Sequence, residues 1–160
     1  IEGCDIAKEF YNVFACEYVY DENGEPVWPA VAINYTSKTQ FLYRINKGVE
    51  DTGENKKLNM YMPHSERVVP FGNMIYVGDG LTDVPSMKLT RQRGGYAIGV
   101  FRTPSDASYL VDEERVDFYV KGDYTEGSEM DKVMKAILNK IRAQNEFEDL
   151  SSSSVTTDKQ

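Results

Sequence analysis

Residues 74–83 constrain the fold of this chain more than any other stretch. They read Met-Ile-Tyr-Val-Gly-Asp-Gly-Leu-Thr-Asp, a short apolar run followed by a glycine-flanked acidic turn. Such a run is typical of a parallel strand covered on both faces, and ligands bind at the carboxyl ends of these strands. Asp79 and Asp83 stand at that end, where Gly78 and Gly80 allow a tight turn. Because carboxylate oxygens suit Mg²⁺, the stretch predicts a magnesium site.

A purely structural role is the alternative for the two aspartates. Asp79 would then be a turn residue and Asp83 a helix cap, since Asp is frequent in both positions. The apolar run before the turn and the helix predicted over residues 84–92, with Pro85 in its first turn, favour the metal site.

Along the rest of the chain, strands alternate with helices. The patterns predict strands at residues 13–20, 27–35, 74–77, 96–101 and 116–120. Helical spacing predicts helices at residues 36–46 and 84–92, and one opened by Ser128 that runs to about residue 147. Residues 103–114 read as a polar loop with at most one helical turn. This alternation is typical of an α/β fold with a mainly parallel sheet.

The first part of this pattern contains a β-hairpin. Asn23 and Gly24 tolerate positive φ and form the turn between the first two strands. Pro26 and Pro29 predict that the second strand lies at an edge or carries a bulge. Residues 1–11 read as the end of a helix. We therefore expect a β-hairpin near the N-terminus, after that helix.

Composition excludes some classes of partner. The net charge over 160 residues is −8, and no basic block is longer than Lys56-Lys57, which argues against nucleic acid or an anionic membrane as main partner. No apolar run approaches the roughly 20 residues of a membrane span. Cys4 and Cys16 follow no metal-ligand spacing and predict reduced, packed thiols of a cytoplasmic protein. The acidic, serine-rich residues 148–160 predict a disordered tail.

The Gly-Asp-Gly-Leu-Thr-Asp segment resembles the fourth signature motif of the haloacid dehalogenase-like (HAD) hydrolases, in their phosphoserine-phosphatase-like branch. The resemblance implies a Rossmann-like three-layer core and an Mg²⁺-dependent phosphatase. It makes Asp79 a metal ligand, while Asp83 binds the metal or holds a metal-bound water or a nearby lysine. Gly78 and Gly80 form the backbone turn of the metal site, and Thr82 supports it.

Lys38 fits the third motif of the same family, a lysine near the start of a helix. Thr36 or Ser37 caps the predicted helix, and Gly48 ends it. The resemblance gives Lys38 the task of neutralising charge on the nucleophile and the phosphate. The alternative is a solvated lysine, although a cation is disfavoured in a first helical turn and its presence there hints at a nearby anion.

The nucleophile of the family is absent from the sequence. It belongs to an Asp-x-Asp motif, and the nearest pattern, Asp21-Glu22-Asn23, falls in the hairpin turn. The resemblance therefore maps residues 1–147 to the C-terminal part of a HAD-like core, with the first two core strands and the cap expected before Ile1. We expect the intact protein to hydrolyse a small phosphorylated metabolite through an aspartyl-phosphate, and this chain to be inactive alone. The alternative is a non-catalytic metal- or anion-binding domain, or a subunit completed by the missing N-terminal portion or another chain.

Overall fold

A computed structural model describes residues 3–103 and 109–156, with side chains up to residue 153. The chain forms two compact units, Ile1–Pro70 and Phe71–Gln160. Within the described ranges, no helix combines the length and the apolar character that a membrane crossing requires.

The first unit contains a two-stranded antiparallel hairpin. Strand β1 spans Glu17–Tyr20 and β2 spans Pro26–Val31, and the register shifts twice between them. The edge or bulge expected from the prolines is confirmed, because a two-stranded sheet has only edges and this one is irregular at Pro26 and Pro29. The helix expected to end near residue 11 is wrong for the described part of that segment, which holds only a 3₁₀ turn at Ala7–Glu9.

Two helices follow in the first unit. Helix α1 spans Lys38–Lys47 and α2 spans Asn55–Asn59. Gly48 ends α1, as predicted, with a left-handed φ of 64°. Helix α2 falls in the segment that reads as a polar connection; its start is fixed by Glu54, whose side chain accepts a hydrogen bond from the Lys57 amide at 3.0 Å. A short 3₁₀ turn at His64–Glu66 completes the unit.

The second unit contains the parallel sheet. Strands β3 (Ile75–Gly78), β4 (Tyr96–Phe101) and β5 (Phe118–Lys121) are parallel and adjacent in that order. Helix α3 (Val84–Gln92) connects β3 to β4, α4 (Tyr109–Asp112) precedes β5, and α5 (Glu129–Thr156) follows it. The mixed α/β class is confirmed, with a small three-stranded parallel sheet and an antiparallel hairpin. The larger Rossmann-like core stays a prediction.

Both faces of the parallel sheet carry a hydrophobic core. Ala97 and Ile98 are neighbours in β4, so their side chains point to opposite faces. Ala97 joins a cluster with Met87 of α3 and residues around α4, and Ile98 joins one with residues of β5 and α5. Burial on both faces explains why β4 reads as a nearly continuous apolar run.

The disordered tail predicted from residue 148 is wrong up to residue 156, because α5 continues to Thr156. Its last turns are stabilised locally. The Arg142 side chain donates to Glu146, and the Ser152 hydroxyl donates to the Glu148 carbonyl at 2.8 Å. Residues 157–160 lie outside the described residues.

The packed state predicted for the two cysteines is also wrong. Cys4 and Cys16 are free thiols, and both are exposed. Cys16 accepts a hydrogen bond from the Ile33 amide at 3.3 Å, so its sulfur contacts the backbone next to the hairpin instead of a core.

Candidate functional site

Asp79 leaves the carboxyl end of β3 as an exposed carboxylate. Its side chain accepts no hydrogen bond from the residues that the structure describes. It lines a pocket of about 370 Å³ at the carboxyl edge of the sheet. The other lining residues follow or end β4 and β5, namely Val100, Phe101, Arg102, Gly122 and Tyr124. The edge where a parallel sheet binds ligands therefore presents an uncommitted carboxylate.

Asp83 differs from Asp79 in its burial and in the hydrogen bonds of its carboxylate. It is buried, with 6% of its surface exposed, and both carboxylate oxygens are engaged. The Tyr76 hydroxyl donates to Oδ1 at 2.7 Å, and the Asp79 amide donates to Oδ2 at 3.2 Å. Asp83 thus fixes the backbone of the turn from which the Asp79 side chain projects. Asp83 occupies the N-cap position of α3, as the helix-cap alternative expects, but its side chain makes no capping hydrogen bond there.

Tyr76 completes this arrangement from within β3. Burial raises the pKa of its hydroxyl well above the ordinary value, and the hydrogen bond to Asp83 and that carboxylate's charge raise the pKa further. The phenol therefore remains protonated at neutral pH and keeps donating to Asp83.

The two glycines of the turn differ in whether their surroundings require a glycine. A Cβ at Gly78 would lie 2.6 Å from Cγ of Asp83, so only glycine lets the buried carboxylate approach the end of β3. Gly80 has φ of −159°, an extended conformation open to any residue, and no atom within 4 Å of a Cβ there. The tight-turn role expected for Gly80 is therefore wrong, whereas Gly78 is required by contact. Thr82 is exposed.

Asp79 offers one exposed carboxylate of the kind that Mg²⁺ binds, and Mg²⁺ binding itself stays a prediction. No group of three or more His, Cys, Asp or Glu side chains that could hold a metal occurs within residues 3–103 and 109–156. Mg²⁺ commonly binds through one or two carboxylates together with waters and substrate phosphate. Asp79 meets the requirement for one such ligand, and Asp83 is committed to Tyr76 and the Asp79 amide.

Lys38 is the first residue of α1, in the first unit, and is half-buried. Asn34 organises this helix start. Its Oδ1 accepts hydrogen bonds from the amides of Thr36 and Ser37, and its carbonyl accepts from the amides of Ser37 and Lys38. Ser37 occupies the N-cap position of α1, as predicted, but its side chain makes no capping hydrogen bond. The Asn34 side chain instead accepts from the amides at this helix start. Lys38 and Asp79 belong to different units, and their joint action stays a prediction.

Sequence reasoning missed two residues at the sheet edge. Tyr76 looks like one more apolar strand residue, and nothing in the pattern shows that its hydroxyl reaches Asp83. Arg102 follows β4 and brings the pocket a cation beside Asp79. Its place after a predicted strand was a usable signal, since carboxyl ends of adjacent parallel strands meet at one edge.

Comparison with known proteins adds one relative. The chain is 27% identical, over 159 aligned residues, to an uncharacterized protein of Borreliella burgdorferi. The alignment covers 88% of this chain and 53% of the relative, so the chain spans about half the length of the curated relative it matches. No family model matches the chain, and no solved structure matches it.

Proposed function

We propose that the intact protein is a HAD-like, Mg²⁺-dependent phosphatase that acts on a small phosphorylated metabolite in the cytoplasm. One observation supports this most strongly. Asp79 is an exposed carboxylate at the carboxyl edge of a parallel sheet, and its backbone is fixed by the buried Asp83. A ligand held in this way is preorganised for a cation, which is what phosphoryl transfer requires.

Each residue has a distinct part in this proposal. Asp79 binds the metal through its free carboxylate. Asp83 holds the Asp79 backbone by accepting a hydrogen bond from its amide, and Tyr76 holds Asp83 by donating to it. Lys38 places a point charge against the phosphate and the attacking carboxylate. Mg²⁺, when bound, neutralises charge on the phosphoryl oxygens. The nucleophilic aspartate that forms the aspartyl-phosphate comes from outside the 160 residues, because they contain no Asp-x-Asp.

A second candidate is a non-catalytic metal- or anion-binding domain, or a subunit completed by another chain. Among the described residues that line the pocket at the sheet edge, Asp79 is the one carboxylate, and this favours the second candidate because one ligand can bind a cation weakly without any chemistry.

Hydrolysis of an aryl phosphate with Mg²⁺ separates the two candidates. We expect turnover by the protein as its gene encodes it, and none by residues 1–160 alone. Asp79→Asn should lower kcat/KM on the order of 100-fold or more, since metal charge supplies several kcal/mol to the transition state. Asp112→Asn, an exposed acid in α4, is the matched control and should leave the rate unchanged.

Three results would count against the proposal or a part of it. Mg²⁺-dependent turnover by residues 1–160 that Asp79→Asn abolishes would show that the nucleophile lies within the chain after all. Turnover by the gene-encoded protein that Asp79→Asn leaves untouched would remove Asp79 from the metal site. Absence of turnover by the gene-encoded protein on a panel of phosphomonoesters would favour the non-catalytic candidate.

A further inference from the structure

The first unit contains a pocket that two cations line and to which no described residue contributes a carboxylate. It has a volume of about 410 Å³. Lys47 and Arg67 supply the cations, and the polar side chains around them are Thr39, Gln40, Tyr43 and Asn59. In a protein with a net charge of −8, two adjacent cations without an acidic partner in their pocket stand out.

Lys47 is buried at the end of α1, with 8% of its surface exposed. Its ammonium donates to the carbonyls of Leu58 at 2.6 Å and Met60 at 2.5 Å. An ammonium has three donors, so these two carbonyls leave one uncommitted among the bonds of the described residues. Neutral carbonyls satisfy hydrogen bonding but leave the full positive charge in place.

Arg67 supplies the second charge. Its Nε and Nη2 donate to the Met62 carbonyl, and its Nη1 donates to Oδ1 of Asn46 at 2.6 Å. Three of five guanidinium donors are used in these bonds, and both acceptors, the Met62 carbonyl and the Asn46 amide oxygen, are uncharged. Burial lowers the pKa of Lys47, and the like charge of Arg67 lowers that pKa further.

We propose that this pocket binds a tetrahedral oxyanion of the phosphate or sulfate class. Placing two like charges close together and partly out of water costs free energy unless an opposite charge binds beside them. A dianion would neutralise both Lys47 and Arg67. The uncommitted donors of Lys47 and Arg67 provide charge-assisted hydrogen bonds, and the fork of a guanidinium matches phosphate oxygens. Thr39, Gln40 and Asn59 bring further donors to the same space. The pocket lies within the first unit and does not depend on the role proposed for Asp79.

The test is a titration of the ¹⁵N-labelled protein with sodium phosphate, run against sodium chloride at equal ionic strength and pH, with a chelator present. We expect saturable shifts of the amide signals of Gln40, Leu58 and Asn59 with phosphate and not with chloride. Arg67→Gln should raise the Kd for phosphate about tenfold or more, as expected for the loss of a charged hydrogen-bond donor. Lys57→Gln removes an exposed cation of α2 outside the pocket lining and should leave the Kd unchanged.

A second variant keeps the binding test valid if Arg67→Gln disturbs the fold. Arg67→Gln also removes bonds to the Met62 carbonyl, so Thr39→Val, which deletes only a hydroxyl, provides a milder change and should raise the Kd a few-fold. Shifts that do not saturate, shifts that chloride reproduces, or parent-like affinity in both Arg67→Gln and Thr39→Val would overturn the proposal.

Discussion

The two sheets of this protein are both rich in apolar residues, yet only one of them is buried. Ile98 in the parallel sheet is 0% exposed, whereas Trp28 in the hairpin is 69% exposed. The two sheets differ in how well the neighbouring helices cover them. Helices α3 and α5 follow strands of the parallel sheet and cover its faces. Helix α1 follows β2, yet every residue of the hairpin strands except Val31 is exposed.

This contrast explains why the candidate site lies at the parallel sheet. A sheet packed on both faces holds the ends of its strands in fixed positions, and a ligand-binding carboxylate gains from such rigidity. Asp79 takes its position from β3 and from its bond to Asp83, which in turn is held by Tyr76. The hairpin offers its residues no comparable support within the described part of the first unit.

The largest effect is expected from Ile98→Ala. Truncation of this fully buried side chain leaves a cavity between β5 and α5 and should lower the free energy of unfolding by about 2–5 kcal/mol. Chemical denaturation followed by circular dichroism measures it. A loss below about 1 kcal/mol would contradict the description of Ile98 as a close-packed core residue.

Gly78→Ala should act next most strongly. The added methyl would meet Asp83 at 2.6 Å, so we expect a loss of about 1–3 kcal/mol in unfolding free energy and a displaced Asp79. Gly80→Ala is the matched control, because its methyl enters open space, and it should change stability by about 0.5 kcal/mol or less. Equal costs for the two substitutions would disprove the contact argument.

Tyr76→Phe should cost about 1–3 kcal/mol, because Asp83 remains buried after losing a donor. The pH dependence gives a second test. The pKa of Tyr76 is raised on folding, so its contribution is complete below the ordinary value near 10 and is lost as pH rises toward the folded pKa. Alkaline destabilisation above about pH 10 should therefore be weaker in Tyr76→Phe than in the parent. Identical alkaline profiles would argue against the Tyr76–Asp83 bond.

The smallest effect belongs to the hairpin. Trp28→Ala removes a large but exposed side chain and should change the unfolding free energy of this chain by about 0.5 kcal/mol or less. If it costs as much as Ile98→Ala, the hairpin is covered by a part of the protein outside the described residues, and the contrast between the sheets disappears.

Local patterns were enough to predict the parallel sheet and its helices. The bounds of α3 and β4 were predicted as they occur, because the apolar runs and Pro85 are strong local signals. The continuation of α5 beyond residue 147 was missed, because a serine-rich, acidic composition is typical of a disordered tail. The hydrogen bonds from the Ser152 and Ser153 hydroxyls to carbonyls one turn earlier cannot be read from composition.

The candidate site was predictable in its residue types and less so in their roles. The turn after β3 placed Asp79 and Asp83 together, but which one is free depends on a tertiary contact of Tyr76 and on the closeness of Gly78. The cationic pocket of Lys47 and Arg67 was missed because these residues lie far apart in the sequence and meet only through the folded first unit. Spacing alone carries no such information.

We propose that Asp79 binds Mg²⁺ at the edge of the parallel sheet. The most direct test is the Mg²⁺ concentration that gives half-maximal phosphate-ester hydrolysis by the gene-encoded protein, compared with its Asp79→Asn and Asp112→Asn variants. We predict that Asp79→Asn raises this concentration about tenfold or more, since altered metal ligation typically costs at least that much in affinity, and that Asp112→Asn does not change it. An unchanged Mg²⁺ dependence in Asp79→Asn, at an unchanged maximal rate, would contradict the claim.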